Sequence, residues 1–184
     1  MLVKKYLFVI LFIILGAILL RIFVLQSYKS TSDCMGETLS VGDCFLVNKF
    51  IYGREIPFTD KRFLDIHEPR RGDVIVFEYP ADPAKVFAMR VVGVPGDEVE
   101  GINKKVLVNG KPEMNLHVSH KEEEVVPREY NPRDNFGPVK VPANSLFVMG
   151  DSRDRSYDSR FWGCLPYGKI RGLAFVKYWS WDSS

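Results

Sequence analysis

Beyond residue 26 the apolar positions come in short runs rich in Val, Ile and Phe, each bounded by Gly, Pro, Asp or Asn. That is the grammar of strands and turns, because β-branched and aromatic residues suit a pleated surface while the bounding residues suit its connections. The pattern predicts strands over Cys44–Lys49, Asp73–Tyr79, Val86–Val92, Lys105–Val108, Ser145–Met149 and Leu173–Tyr178, and so a mostly β domain. Asn109-Gly110, between Val106-Leu107-Val108 and Lys111-Pro112, is a two-residue hairpin turn, since both residue types tolerate positive φ. From Asn115 to Pro142 the sequence turns charged and Pro-rich, an excursion from the sheet whose acidic run Lys121-Glu122-Glu123-Glu124 reads as a solvated loop face.

The N-terminus follows a different pattern. After Lys4 and Lys5 the chain is apolar on every face from Tyr6 to Leu20, is interrupted by Arg21, and resumes over Ile22–Leu25. At about 1.5 Å per residue this stretch reaches roughly 30 Å, the thickness of a bilayer's hydrocarbon core. Residues 6–26 are therefore expected to form a transmembrane anchor, with Arg21 snorkelling to the interface near its far end. The positive-inside bias makes residues 1–5 a cytoplasmic tail and puts residues 27–184 across the membrane. A cleaved signal peptide is the rival reading, but no small-x-small site follows in Gln26-Ser27-Tyr28-Lys29.

A chain of 184 residues accommodates one anchor and one compact domain, and a formal net charge of +2 gives no reason to invoke nucleic acid. Cys34, Cys44 and Cys164 all lie in the exported part, where disulfides are permitted but spacing assigns no pair. No Cys-x-x-Cys occurs, and His67, His117 and His120 are not set beside the cysteines, so no metal or other cofactor is expected.

Four blocks carry more specific information: Ser32-Asp33-Cys34-Met35 with Thr38-Leu39, Arg71–Phe77, Met89–Asp97 and Leu146–Gly163. In order and content they resemble the signature blocks of the type I signal peptidases, the membrane-tethered S26 proteases that remove signal peptides from exported proteins. The resemblance implies a β-rich core over 27–100 and 142–184 with a small inserted subdomain at about 101–141. It implies Cys34 at the position of the nucleophilic serine and Met89 at that of the lysine base. It further implies that Ser32 joins the backbone N–H of Cys34 in an oxyanion hole, that Ser156 and Asp158 orient the base, and that Arg90, Asp151 and Arg160 brace the site. Thr31, Asp33 and Glu37 depart from the family pattern around the nucleophile. The implied partners are the bilayer and exported preproteins bearing signal peptides, bound as an extended segment with an Ala-x-Ala preference, at a bacterial inner membrane. Without the resemblance, Ser32 reads as a turn residue and the charged residues of 151–160 as a salt-bridged loop.

The chemistry of the two reactive positions stands apart from the resemblance. A lysine serves as base only when burial lowers its pKa, and Met89 keeps the slender apolar shape while carrying no titratable nitrogen. Cys34 is nucleophilic only as a thiolate, which apolar surroundings and the nearby carboxylates of Asp33 and Glu37 disfavour. Lys85, four residues before Met89, lies about 13 Å away along a strand, too far to substitute. Two function classes stand: an endopeptidase with Cys34 as thiol nucleophile, and a non-catalytic relative that binds precursors or assists assembly of exported proteins. Trp179, Trp181, Phe50 and Tyr52 are either an aromatic rim against lipid headgroups or core packing, with core packing favoured for Tyr178.

Overall fold

The structure is a computed structural model that describes residues 6, 8–16, 25–55, 62–65 and 67–180. Most of the anchor stretch and Trp181 lie outside the described residues. Residues 8–16 are helical with their apolar side chains exposed, and among the described residues no helix is long and apolar enough to cross a membrane. β1 (Leu25–Lys29) begins inside the stretch that hydropathy assigns to the anchor.

A seven-stranded antiparallel sheet organises the domain. Its spatial order runs β1, β2 (Cys44–Asn48), β13 (Ile170–Trp179), β5 (Val74–Tyr79), β6 (Asp82–Gly93), β11 (Ser145–Met149), β12 (Leu165–Pro166). A smaller sheet is ordered β10 (Phe136–Lys140), β7 (Glu98–Ile102), β8 (Lys105–Val108), β9 (Lys111–Pro112), and β3 (Tyr52–Glu55) pairs with β4 (Arg62–Asp65). Asn109 and Gly110 turn the chain from β8 into β9 with φ of 53° and 73°, as the hairpin motif requires.

β6 positions the site. It starts four residues earlier than its apolar run, because pairing with β5 continues out to Tyr79↔Asp82 through polar positions that solvent tolerates. On its other edge it meets β11 only from Arg90 to Gly93. Among the described residues Asp82–Met89 thus pairs on one side alone, and Pro83 is accommodated there because an edge residue has no ladder bond to lose.

Strand alternation sorts the core. Val47, Ile75, Val76, Phe77, Met89, Val91, Leu146 and Val148 join Cys34, Met35 and Leu39 in the main cluster. Val92, Val99, Val106, Val108, Phe136, Val141, Phe147 and Met149 form a second, where the Phe136 and Phe147 rings stack at 5.7 Å between the two sheets. The small sheet is therefore packed onto the end of β6 and β11.

Candidate active site

Residues 30–43 form a loop closed at its base by Ser30 N donating to Asp43 O and Gly42 N to Ser30 O, both at 2.8 Å. Its apolar members Met35 and Leu39 are sunk in the main core, which fixes Cys34, the residue before Met35, against β6. Cys34 Sγ lies 3.1 Å from Ser32 Oγ and 3.7 Å from the carbonyl oxygen of Ala88. Burial pushes the thiol above its ordinary pKa, the Ser32 hydroxyl opposes this, and the carboxylates of Asp158 and Asp151 add to it. Those two, rather than Asp33 and Glu37, are the carboxylates that act on the thiol. Asp33 is instead engaged on the surface with Arg155 at 3.0 Å.

Met89 is buried opposite Ile75 of β5, in the same cluster as Cys34. The hydrogen-bonding neighbours of the thiol among the described residues are a hydroxyl and a carbonyl, and neither takes a proton near neutral pH. Lys85 pairs with Asp82 at 3.3 Å at the exposed tip of the β5–β6 hairpin.

The 150–160 loop packs directly against the loop that carries Cys34. Ser152 N donates to Cys34 O at 3.0 Å. Gly150 N is shared between Ser156 Oγ at 3.2 Å and Asp158 Oδ2 at 3.1 Å, which brings together the two residues expected to orient a base. Asp158 also caps the short helical turn Ser159–Trp162, and Arg160 grips both of its oxygens, at 2.8 and 2.9 Å, while donating to the carbonyls of Arg133 and Arg153. Asp151 takes a bidentate pair from Arg90 at 2.8 and 2.6 Å, a bond from Thr38 Oγ1 at 2.6 Å and one from Asn115 Nδ2 at 3.1 Å. Burial alone would raise the Asp151 carboxyl, but Arg90 and Thr38 outweigh it and hold the group below the usual carboxylate range.

Ser32, Met35 and Ala88, which flank Cys34, border a cavity of about 30 Å³ together with Tyr28, Phe45, Val76, Val86 and Phe87. That exceeds the roughly 10–15 Å³ that a water-sized probe needs, so the space suits a small side chain.

Residues 3–179 match the family model described as signal peptidase, peptidase S26. The chain belongs to the signal peptidase S26 family. It is 38% identical over 206 residues to signal peptidase I of Pseudomonas fluorescens, covering 96% of this chain and 72% of that protein. Signal peptidase I of Pseudomonas aeruginosa is 36% identical with the same coverage, and that of Leptolyngbya laminosa is 36% identical over 87% of this chain and 71% of its own length.

Four participants in this signal peptidase-type site went unassigned in the motif reading. Thr38 and Gly150 lie inside the blocks, but a hydroxyl bonded to Asp151 and a glycine whose N–H serves two acceptors are visible only in three dimensions. Asn115 and the Ala88 carbonyl carry no sequence signal.

Proposed function

We propose that this signal peptidase-family protein, anchored in the bacterial inner membrane with a cytoplasmic N-terminus, binds the small-residue end of signal peptides on exported precursors and lacks the hydrolysis of a Ser/Lys dyad. The observation that carries this reading is the pairing of a small cavity bordered by Ser32, Met35 and Ala88 with a buried thiol that, among the described residues, has only a hydroxyl and a carbonyl as hydrogen-bonding neighbours. The cavity suits the alanine of an Ala-x-Ala segment, and the unpaired edge of β6 suits an extended peptide. A proton acceptor at the nucleophile typically contributes about 10²- to 10⁴-fold to such reactions, and Met89 supplies none. Exposed Phe175, Trp179 and Tyr178, the last against the expectation of core packing, fit an aromatic rim against lipid headgroups at the end of β13, whereas Tyr52 is buried in the core.

The test is incubation of the full chain in detergent with a precursor bearing Ala-x-Ala, alongside the double variant Cys34→Ser, Met89→Lys. The parent is expected to retain the precursor in a pull-down without cleaving it, and the double variant to cleave it at least about 100-fold faster. Alkylator-sensitive cleavage by the parent would overturn the reading in favour of a thiol endopeptidase. Failure of the parent to retain any precursor would overturn the binding itself.

A further inference from the structure

The segment that follows β9 has its polarity turned inside out. Glu113 N donates to Val106 O at 2.9 Å, which carries the pairing of β8 with β9 one residue further. The Glu113 carboxylate then accepts from Arg153 at 2.8 and 2.7 Å. Asn115 donates its amide to Asp151 at 3.1 Å, and its side-chain oxygen accepts from His117 N at 3.0 Å. The alternate residues, Met114 and Leu116, are 99% and 98% exposed. Polar neighbours bonded into the domain thus hold two apolar side chains out in solvent, which marks a built surface rather than a slack loop. Both stand at a groove of about 590 Å³ that is also lined by Val91, Val92, Val108 and Pro112. Of the charges along it, Arg71 is paired with Asp97, Arg90 with Asp151 and Glu113 with Arg153. Lys111, exposed in the same lining, has no ion-pair partner among the described residues.

A surface of complementary charge lies a few residues on. Lys121 N and Glu122 N both donate to Asp154, at 2.6 and 2.9 Å, and Val126 N donates to Asp134 at 2.8 Å. The Glu122 carboxylate is held by Arg133. Between these pins Glu123, Glu124 and Val125 are all exposed, and among the described residues neither Glu123 nor Glu124 has an ion-pair partner. This acidic knuckle does not line the groove of its own chain. One molecule therefore presents an unpaired ammonium beside two outward apolar side chains, and, separately, two unpaired carboxylates followed by an outward valine. Both surfaces are fixed by hydrogen bonds before any contact, so little ordering entropy opposes their docking. We infer that the groove edged by Met114 and Leu116 is a self-association surface that receives the Glu123–Val125 knuckle of a second copy, carboxylates on Lys111 and valine against Met114 and Leu116. The contact is independent of precursor binding at the cleft. Opposite charges steer the encounter, and the apolar side chains on both sides leave water when it forms.

Sedimentation velocity of the full chain in detergent, from about 5 to 500 µM at low salt, reads the association, since a contact with a Kd of order 100 µM is mostly occupied at the upper end. The parent should associate, and less so at about 0.5 M salt, because exposed charge pairs are screened. Lys111→Glu should weaken association by about tenfold, as should the pair Glu123→Lys, Glu124→Lys. The triple variant with all three changes should recover it, because the signs are exchanged and the attraction kept. Met114→Ser with Leu116→Ser should weaken it as well. All of these side chains are exposed, so each variant should melt within about 2 °C of the parent, which separates a lost contact from a lost fold. Association that neither charge-reversed variant weakens would lie on another surface and overturn the proposal, and so would a triple variant that fails to recover. A parent that stays monomeric throughout also overturns it. If that monomer binds the free peptide Lys-Glu-Glu-Glu-Val-Val, the groove takes an acidic segment of a different protein, not a second copy.

Discussion

Gly150 is a close approach between the two halves of the site, and Gly150→Ala tests how closely they depend on each other. A Cβ built there would lie 2.4 Å from Cys34 O, 2.4 Å from Ser156 Oγ and 2.7 Å from Ser156 Cβ, all well inside van der Waals contact. Gly150 is not among the residues with positive φ, so the penalty comes from space alone. Relief requires the Cys34 loop to move away and Ser156 to shift within the 150–160 loop, each by more than half an ångström, which lengthens Ser152 N to Cys34 O and Gly150 N to Ser156 Oγ. Overpacking of this kind costs about 1–3 kcal/mol, and each weakened bond about 0.5–1.5 kcal/mol. A loss of about 3 kcal/mol is expected, equivalent to a Tm lowered by roughly 6–12 °C for a domain of this size. Near-UV circular dichroism melts in detergent measure it, and alkylation of Cys34 in the folded variant should be faster because the thiol is less buried. A melting point within about 1 °C of the parent, with an unchanged alkylation rate, would refute the claim that the two loops are held in contact here.

The thiol of the parent should react slowly at pH 7, with the alkylation rate of Cys34 still rising above the free-thiol pKa of about 8.5; a plateau near pH 7 would contradict the geometry. The Asp154 carboxylate is buried and accepts from Lys104, from the Lys121 and Glu122 N–H groups and from His120. Although burial works against it, these bonds hold its carboxyl far below the usual range. A depressed folded-state pKa contributes stability that is full above the unfolded value of about 3.9 and is lost as pH falls through the folded one. Asp154→Asn should therefore melt well below the parent at pH 7, with the gap narrowing from about pH 4 downward in a series of thermal melts. Arg155→Ala should move stability by less than about 1 kcal/mol in denaturant titration, because its pair with Asp33 is exposed on both sides.

The strands that carry the site were legible because their apolar runs are long and β-branched: Val74–Tyr79 and Ser145–Met149 stand almost where hydrophobic alternation puts them. β13 and β6 run past their apolar cores, since a partner strand supplies ladder bonds to residues whose side chains face water. β7 and β10 were not legible at all. Glu98–Ile102 and Phe136–Lys140 are polar or interrupted by Gly and Pro, and become strands only through one another and through Val106 and Val108 in the second core. In the site, motif spacing placed Ser32 beside Cys34, and Ser156 beside Asp158. What it missed was the direction of charge. Asp33 adjoins Cys34 in sequence yet is spent on Arg155, while Asp151 and Asp158, more than a hundred residues away, raise the thiol's pKa.

The half-paired state of β6 also has a bearing on how the protein keeps to itself. An open edge of eight residues is a template for any other strand, including the same strand of a second molecule, and such edges seed aggregation unless they are obstructed. Here the obstruction is concentrated at the outer end, where Asp82 and Lys85 form an ion pair and Pro83 offers no N–H, while the inner end at Ala88 is shielded by the Cys34 loop. Only the few residues between these guards are left free to pair, a gap that admits a short stretch of flexible peptide and turns away the long, rigid edge of a folded sheet.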